Sequence, residues 1–224
     1  MFAFLLPLRR YVSFGGIRNA AAALIFAATP VFAETTVLAL GDSLTQGYGL
    51  PAEDGFVPRL EAWLTAHGTP AKIVNAGVSG DTTAGGLARL DWSLTPDVDA
   101  VIVNLGGNDL LRGLDPAVSR ANLEKILQGA AARQLPVLLI GLAAPGNYGP
   151  AYKTEYDAIF PELAARYGAA MNPNFFAAIG GSAEAAIEHG FMQADGIHPN
   201  QKGVMAIIEN IGPEVQKLIA TAAK

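Results

Sequence analysis

Ser43 stands in Gly41-Asp42-Ser43-Leu44, directly after an apolar run at 36–40, where the chain must bend sharply and present a hydroxyl. Serine is also a preferred helix cap, because its oxygen accepts from free N–H groups, and taken alone the position favours capping over attack. The strand-to-helix elbow G-x-S-x-G is absent, since Gly77-Val78-Ser79-Gly80 is followed by Asp81. A nucleophilic serine needs a base, and the chain offers three histidines, His67, His189 and His198. His67 and His189 each precede a glycine at the end of an amphipathic stretch, where an imidazole suits the helix dipole and glycine supplies the terminating turn. His198 lies in Asp195-Gly196-Ile197-His198-Pro199, just ahead of the last amphipathic stretch, where the dipole disfavours positive charge. Asp195, three residues earlier, is spaced so that one turn presents a carboxylate to the ring and fixes its tautomer. The plain alternative is a polar loop with Pro199 in the first helical turn.

Acyl transfer by such a set also needs donors for the oxyanion that forms during attack. The Ser43 N–H, the Gly80 N–H and the Asn108 side-chain amide are groups of the right kind; a turn glycine and a turn asparagine are the ordinary readings of the last two. The absence of cysteine removes disulfides, a thiol nucleophile and thiolate metal sites. A metal-dependent phosphoesterase using Asp42, Asn108, Asp109 and His198 is one alternative, though short of spare ligands. A non-catalytic binding domain on the same scaffold is the other.

These residues must be positioned by the elements between them. Short apolar runs at 36–40, 72–74, 100–105, 137–142 and 169–171 are predicted strands, and 57–67, 83–94, 116–133, 151–167 and 201–223 are predicted helices. Apolar strands separated by helices favour a parallel sheet covered on both sides, a three-layer α/β/α sandwich. In such open sheets ligands bind beyond the carboxyl ends of the strands. Ser43, Gly80 and Asn108 fall just past the first three predicted strands, and the fourth leads into Ala144-Pro145-Gly146-Asn147-Tyr148-Gly149. Polar groups and glycines therefore collect at one edge of the sheet.

Gly41-Asp42-Ser43-Leu44, Gly80, Gly107-Asn108-Asp109 and Asp195-x-x-His198 resemble, in order, the four sequence blocks of the SGNH (GDSL) hydrolases. Longer stretches at 75–82, 85–90, 105–113, 144–149 and 195–200 look like the bacterial subgroup of exported acyl-CoA thioesterases, arylesterases and lysophospholipases. The resemblance implies a flavodoxin-like sandwich with a five-stranded parallel sheet. It implies Ser43 as nucleophile, His198 as general base and then acid, and Asp195 orienting His198. Ser43 N–H, Gly80 N–H and Asn108 would form the oxyanion hole, and the cycle would run through an acyl-enzyme without metal or cofactor. Tyr48, Leu50, Leu110, Leu111, Leu114, Tyr148, Phe191 and Met192 flank the motif loops; an acyl channel and ordinary core packing explain each of them equally.

The chain of 224 residues suits one domain, and 51% hydrophobic against 16% charged residues excludes a disordered polar chain. Residues 1–33 read as a signal peptide: Arg9, Arg10 and Arg18 are their only charges, 20–28 is Ala-rich and apolar, and Val31-Phe32-Ala33 precedes Glu34. The apolar run is too short for a membrane-spanning helix, so no anchor is expected after cleavage. Arg9-Arg10 matches a twin-arginine export signal poorly. The hydrolase domain, 34–224, keeps 12 basic against 20 acidic side chains, a net charge of −8. That balance argues against a nucleic-acid partner. A periplasmic or secreted monomer acting on a small acyl ester or thioester is the expectation.

Overall fold

The computed structural model describes residues 34–222; the expected leader at 1–33 lies outside them. Five strands form one sheet: β1 (Thr36–Gly41), β2 (Lys72–Gly77), β3 (Ala100–Asn104), β4 (Val137–Ile140) and β5 (Ala170–Asn172). Their order is β2-β1-β3-β4-β5, with every neighbouring pair parallel. This is the flavodoxin-like order, in which the direction of strand addition reverses between β1 and β3 while all strands stay parallel. All residues of β1, β3 and β4 are buried, whereas the edge strands β2 and β5 are partly exposed. Only a strand with neighbours on both sides and helices on both faces must be apolar throughout.

Nine α-helices, with three short 3-10 turns, complete the described chain: α1 (Ser43–Gln46), α2 (Phe56–Ala66), α3 (Thr83–Ala88), α4 (Leu90–Ser93), α5 (Gly107–Leu111), α6 (Pro116–Ala132), α7 (Pro150–Tyr167), α8 (Ala183–Glu188) and α9 (Gln201–Ala222). On one side α2 and α9 pack together, α2 against β2 and α9 across β3, β4 and β5. On the other side α6 lies between α3 and α7, with α7 against β4 and β5. The three layers expected from the sequence are present.

The helix expected over 83–94 is interrupted at Arg89, which ends α3 and starts α4. The Arg89 side chain is buried there, donating to the Gly41 carbonyl at 2.7 Å and to the Asp81 carboxylate at 2.7 Å. The remaining expected helices are found within about a residue at each end. Where α9 crosses α2, Gly212 lies against the Trp63 indole, and a Cβ there would sit 2.5 Å from the ring. Close approach of the two helices thus depends on that glycine.

Candidate active site

Gly41 ends β1, and a Cβ on it would lie 2.0 Å from the Thr45 hydroxyl, so the chain can fold back into α1 only with glycine there. Asp42 caps that helix, its Oδ1 accepting from the Leu44 amide at 3.0 Å. The capping role therefore belongs to Asp42, and the Ser43 hydroxyl points elsewhere: its Oγ lies 2.8 Å from His198 Nε2. His198 Nδ1 lies 2.6 Å from Asp195 Oδ2, while Asp195 Oδ1 accepts from the amides of Ile197 and His198 at 3.0 Å each. One carboxylate thus folds its own loop and holds the ring. Partial burial by itself would raise the Asp195 pKa, but the bonds from His198 and from the two amides outweigh it and hold the carboxyl below its usual range. It stays ionised, as an orienting partner for an imidazole must.

The helix after this loop begins on Asn200, whose Oδ1 accepts from the Gly203 amide at 3.1 Å. Pro199 precedes that cap, so a proline-started helix does not account for His198. The other two histidines sit where the sequence places them, His67 at the end of α2 and His189 at the end of α8. His67 stacks on Trp63 at 3.8 Å and takes no part in the site.

Asn108 lies in the first turn of α5, where Gly106 turns the chain at φ +119° and leaves room for the Tyr156 hydroxyl. Its side-chain Nδ2 donates to Asp42 Oδ2 at 3.2 Å, which ties the exits of β1 and β3 together. Burial pushes the Asp42 carboxyl up to about 6; hydrogen bonds from Leu44 and Asn108 and the nearby His198 oppose this, and Asp109 adds to it. Asp109 is fully buried and binds three donors, the Thr83 amide at 2.8 Å, the Thr83 hydroxyl at 2.6 Å and the Ser119 hydroxyl at 2.9 Å. Both carboxylates are thus committed to protein donors, which takes two ligands away from the metal-dependent alternative. Gly80 follows β2, whose last residue pairs with Gly41 of β1, and the Val78 amide donates to the Gly41 carbonyl at 3.1 Å. It adopts φ +84°, and its carbonyl accepts from Arg112 at 2.8 Å, so the turn after β2 is fastened to the end of α5.

A cleft of about 550 Å³ opens beside Ser43 and Asn108, with predominantly apolar walls. Of the side chains expected along an acyl channel, Leu111, Tyr148 and Leu110 line it. Tyr48, Leu114 and Met192 do not. The Tyr48 ring leans on the His198 imidazole instead, with centroids 4.6 Å apart. Leu114 offers its carbonyl to the Tyr152 hydroxyl at 2.9 Å. Met192 pairs with Pro199 in an isolated bridge and packs on the core, as Leu50 and Phe191 do. The wall also contains Leu44, Leu142, Phe176, Ile197 and residues 181–184, which sequence reasoning missed. Phe176 and 181–184 follow β5, the one strand exit without a chemical motif; small residues there gave no signal beyond their place in the topology.

The GDSL-like Lipase/Acylhydrolase family model matches residues 39–206. Esterase TesA of Pseudomonas aeruginosa is 40% identical over 188 residues, covering 84% of this chain and 90% of that protein. The protein named thioesterase 1/protease 1/lysophospholipase L1 of Escherichia coli K12 is 36% identical over 189 residues, covering 84% of this chain and 86% of its own. Among solved structures, the SGNH-hydrolase family esterase AlinE4 superimposes with a TM-score of 0.68 at 43% identity, over 83% of this chain and 97% of its own. Matches that run through the serine, asparagine and histidine loops alike make the chain a member of the GDSL-like lipase/acylhydrolase family and a serine ester hydrolase.

Proposed function

We propose that Ser43 is the nucleophile, His198 the general base and then acid, and Asp195 the residue that orients His198. The observation that carries this reading is the continuous line Ser43 Oγ, His198 Nε2, His198 Nδ1, Asp195 Oδ2, with spacings of 2.8 and 2.6 Å. With Asp195 ionised and bound to Nδ1–H, Nε2 carries the lone pair that takes the serine proton. The Ser43 oxygen forms a bond to the acyl carbon, and charge develops on the carbonyl oxygen opposite the Ser43 N–H, Gly80 N–H and Asn108 amide. Collapse breaks the bond to the alcohol or thiol, which leaves with the proton held by His198. Water, deprotonated by His198, then attacks the acyl-enzyme and restores Ser43.

The substrates we assign are carboxylic esters and thioesters with an apolar acyl group: aryl esters, acyl-CoA thioesters and lysophospholipids. The apolar walls of the cleft support the acyl preference, and the names of the relatives, esterase and thioesterase 1/protease 1/lysophospholipase L1, support the leaving groups. Parallel assays of an aryl acetate, an acyl-CoA and a lysophospholipid rank them. A fluorophosphonate probe should label the wild-type protein at Ser43, and Ser43→Ala should neither label nor turn over ester; a labelled, active Ser43→Ala variant removes the nucleophile assignment. A non-catalytic binding domain would leave the wild-type protein unlabelled.

We also propose export of the chain, with 1–33 as a signal peptide and the domain at 34–224 released as a monomer. Among the described residues no helix is long and apolar enough to cross a membrane. The intact mass of protein recovered from a secreting host should correspond to a chain beginning at Glu34; a mass including Met1 contradicts cleavage.

A further inference from the structure

Gln193 and Tyr48 surround His198 without taking part in any step described above. Ser43 and His198 lie 155 positions apart and arrive on different loops. Two described hydrogen bonds join segment 43–49 to segment 193–199: the Ser43–His198 bond itself, and one from Gln193 Nε2 to the Tyr48 carbonyl at 2.8 Å. The same Gln193 nitrogen donates to the Pro199 carbonyl at 3.0 Å, and the Gln193 backbone amide donates to the His198 carbonyl at 2.8 Å. Gly49, at φ +75°, leaves the space that Gln193 occupies; a Cβ there would lie 2.2 Å from Gln193 Oε1. A staple serving stability alone could sit anywhere along these loops. This one binds the carbonyls of His198, of its successor and of the residue whose ring lies on the imidazole.

That ring belongs to Tyr48, half exposed and outside the cleft, tilted 37° to His198 with centroids 4.6 Å apart. An aromatic face at this distance limits rocking of the imidazole and excludes water from one side. The other groups facing the ring are Asp195 at Nδ1, Ser43 at Nε2 and the buried Asp42 beneath Ser43. We infer that Gln193 and Tyr48 are positioning residues for the reaction: Gln193 fixes the distance between the nucleophile and base loops, and Tyr48 fixes the plane of the His198 ring. The inference rests on the assignment of Ser43 and His198 as nucleophile and base.

Steady-state constants for an aryl acetate, measured from pH 5 to 9 on the full domain, test it. Gln193→Met keeps the length of the side chain and removes its donors; kcat should fall about ten- to a hundredfold, the scale set by small misplacements of reacting groups, while KM stays within about twofold. Tyr48→Leu keeps an apolar cover but removes the π face. Its kcat should fall about ten- to a hundredfold with KM within about twofold. Tyr48→Phe, which retains the ring, should keep the wild-type kcat. Wild-type kcat in Gln193→Met or in Tyr48→Leu, a loss confined to KM, or a Tyr48→Phe as impaired as Tyr48→Leu overturns the inference. Should Gln193→Met not fold, Gln193→Glu removes the donors at nearly constant shape and is judged by the same criteria. Ser43→Ala, run in parallel, separates the two levels: residual wild-type turnover there defeats the nucleophile assignment itself, whereas an inactive Ser43→Ala beside an unaffected Gln193→Met defeats the positioning role alone.

Discussion

With one oxygen on the Leu44 amide and the other on Asn108, Asp42 combines a helix cap with a brace for Asn108, the proposed oxyanion donor. Burial raises its pKa from 3.8 to about 6, so the folded protein keeps a proton that the unfolded chain releases earlier. The sign follows: the protonated form is stabilising below pH 3.8, and that contribution is lost as pH rises through about 6. The loss is on the order of 3 kcal/mol. Asp195 works in the opposite direction, since its lowered value adds stability that disappears as pH falls through the carboxylate range; its partial exposure keeps that effect small. Urea titrations from pH 4 to pH 7.5 should therefore show Asp42→Asn gaining on the wild type as pH rises, and parallel curves for the two proteins contradict the buried-carboxylate reading. In the same variant an amide nitrogen faces Asn108, and turnover should drop about a hundredfold, the scale for a lost oxyanion donor. That Ser43, His198 and Asp195 meet was legible in the sequence because the proposed chemistry demands particular residue types, with Asp195 and His198 at a short spacing and Ser43 at a strand exit. Tyr48, Leu114 and Met192 lie off the cleft, which their types could not foretell, since such a side chain serves a channel, a core or a ring contact equally well, and loop composition does not set its direction.

The long elements were legible for a related reason. Each strand of the sheet's interior is buried throughout and apolar but for Thr36 and Asn104 at its ends, and α6, α7 and α9 run long enough for their buried positions to recur at helical spacing. α1 and α5 are single turns of four and five residues, too short for any period, yet they carry Ser43 and Asn108. The break at Arg89 was equally hidden, because it arises from a long-range bond to Gly41 rather than from a local breaker. The contact between α2 and α9 allows a test at this scale. Gly212→Ala places a methyl against the Trp63 ring and should destabilise the domain by about 1–3 kcal/mol, read by chemical denaturation, with kcat of the folded protein unchanged. An unaltered unfolding midpoint shows that the helices can separate without loss.

Across the whole molecule, the strand order divides the sheet into two working halves. Asp42 and Ser43 follow β1, Gly80 follows β2 and Asn108 follows β3, neighbours at one side of the sheet. The far wall of the cleft follows β4 and β5, through Ala143 to Tyr148 and through Phe176 to Glu184. Buried ties such as Asp109 to Thr83 and Arg89 to Gly41 run among the first three strands and the helices beside them, so Ser43, Gly80 and Asn108 are braced apart from the loop after β4, whereas Asp195 and His198 lie beyond β5 on the same stretch of chain as the 176–184 wall. Exchanges in the loop after β4, at 143–148, should then retune which acyl group is accepted while leaving the proposed nucleophile and base in place. Variation in diet is open to that loop, while the wall after β5 changes only at the risk of moving the base.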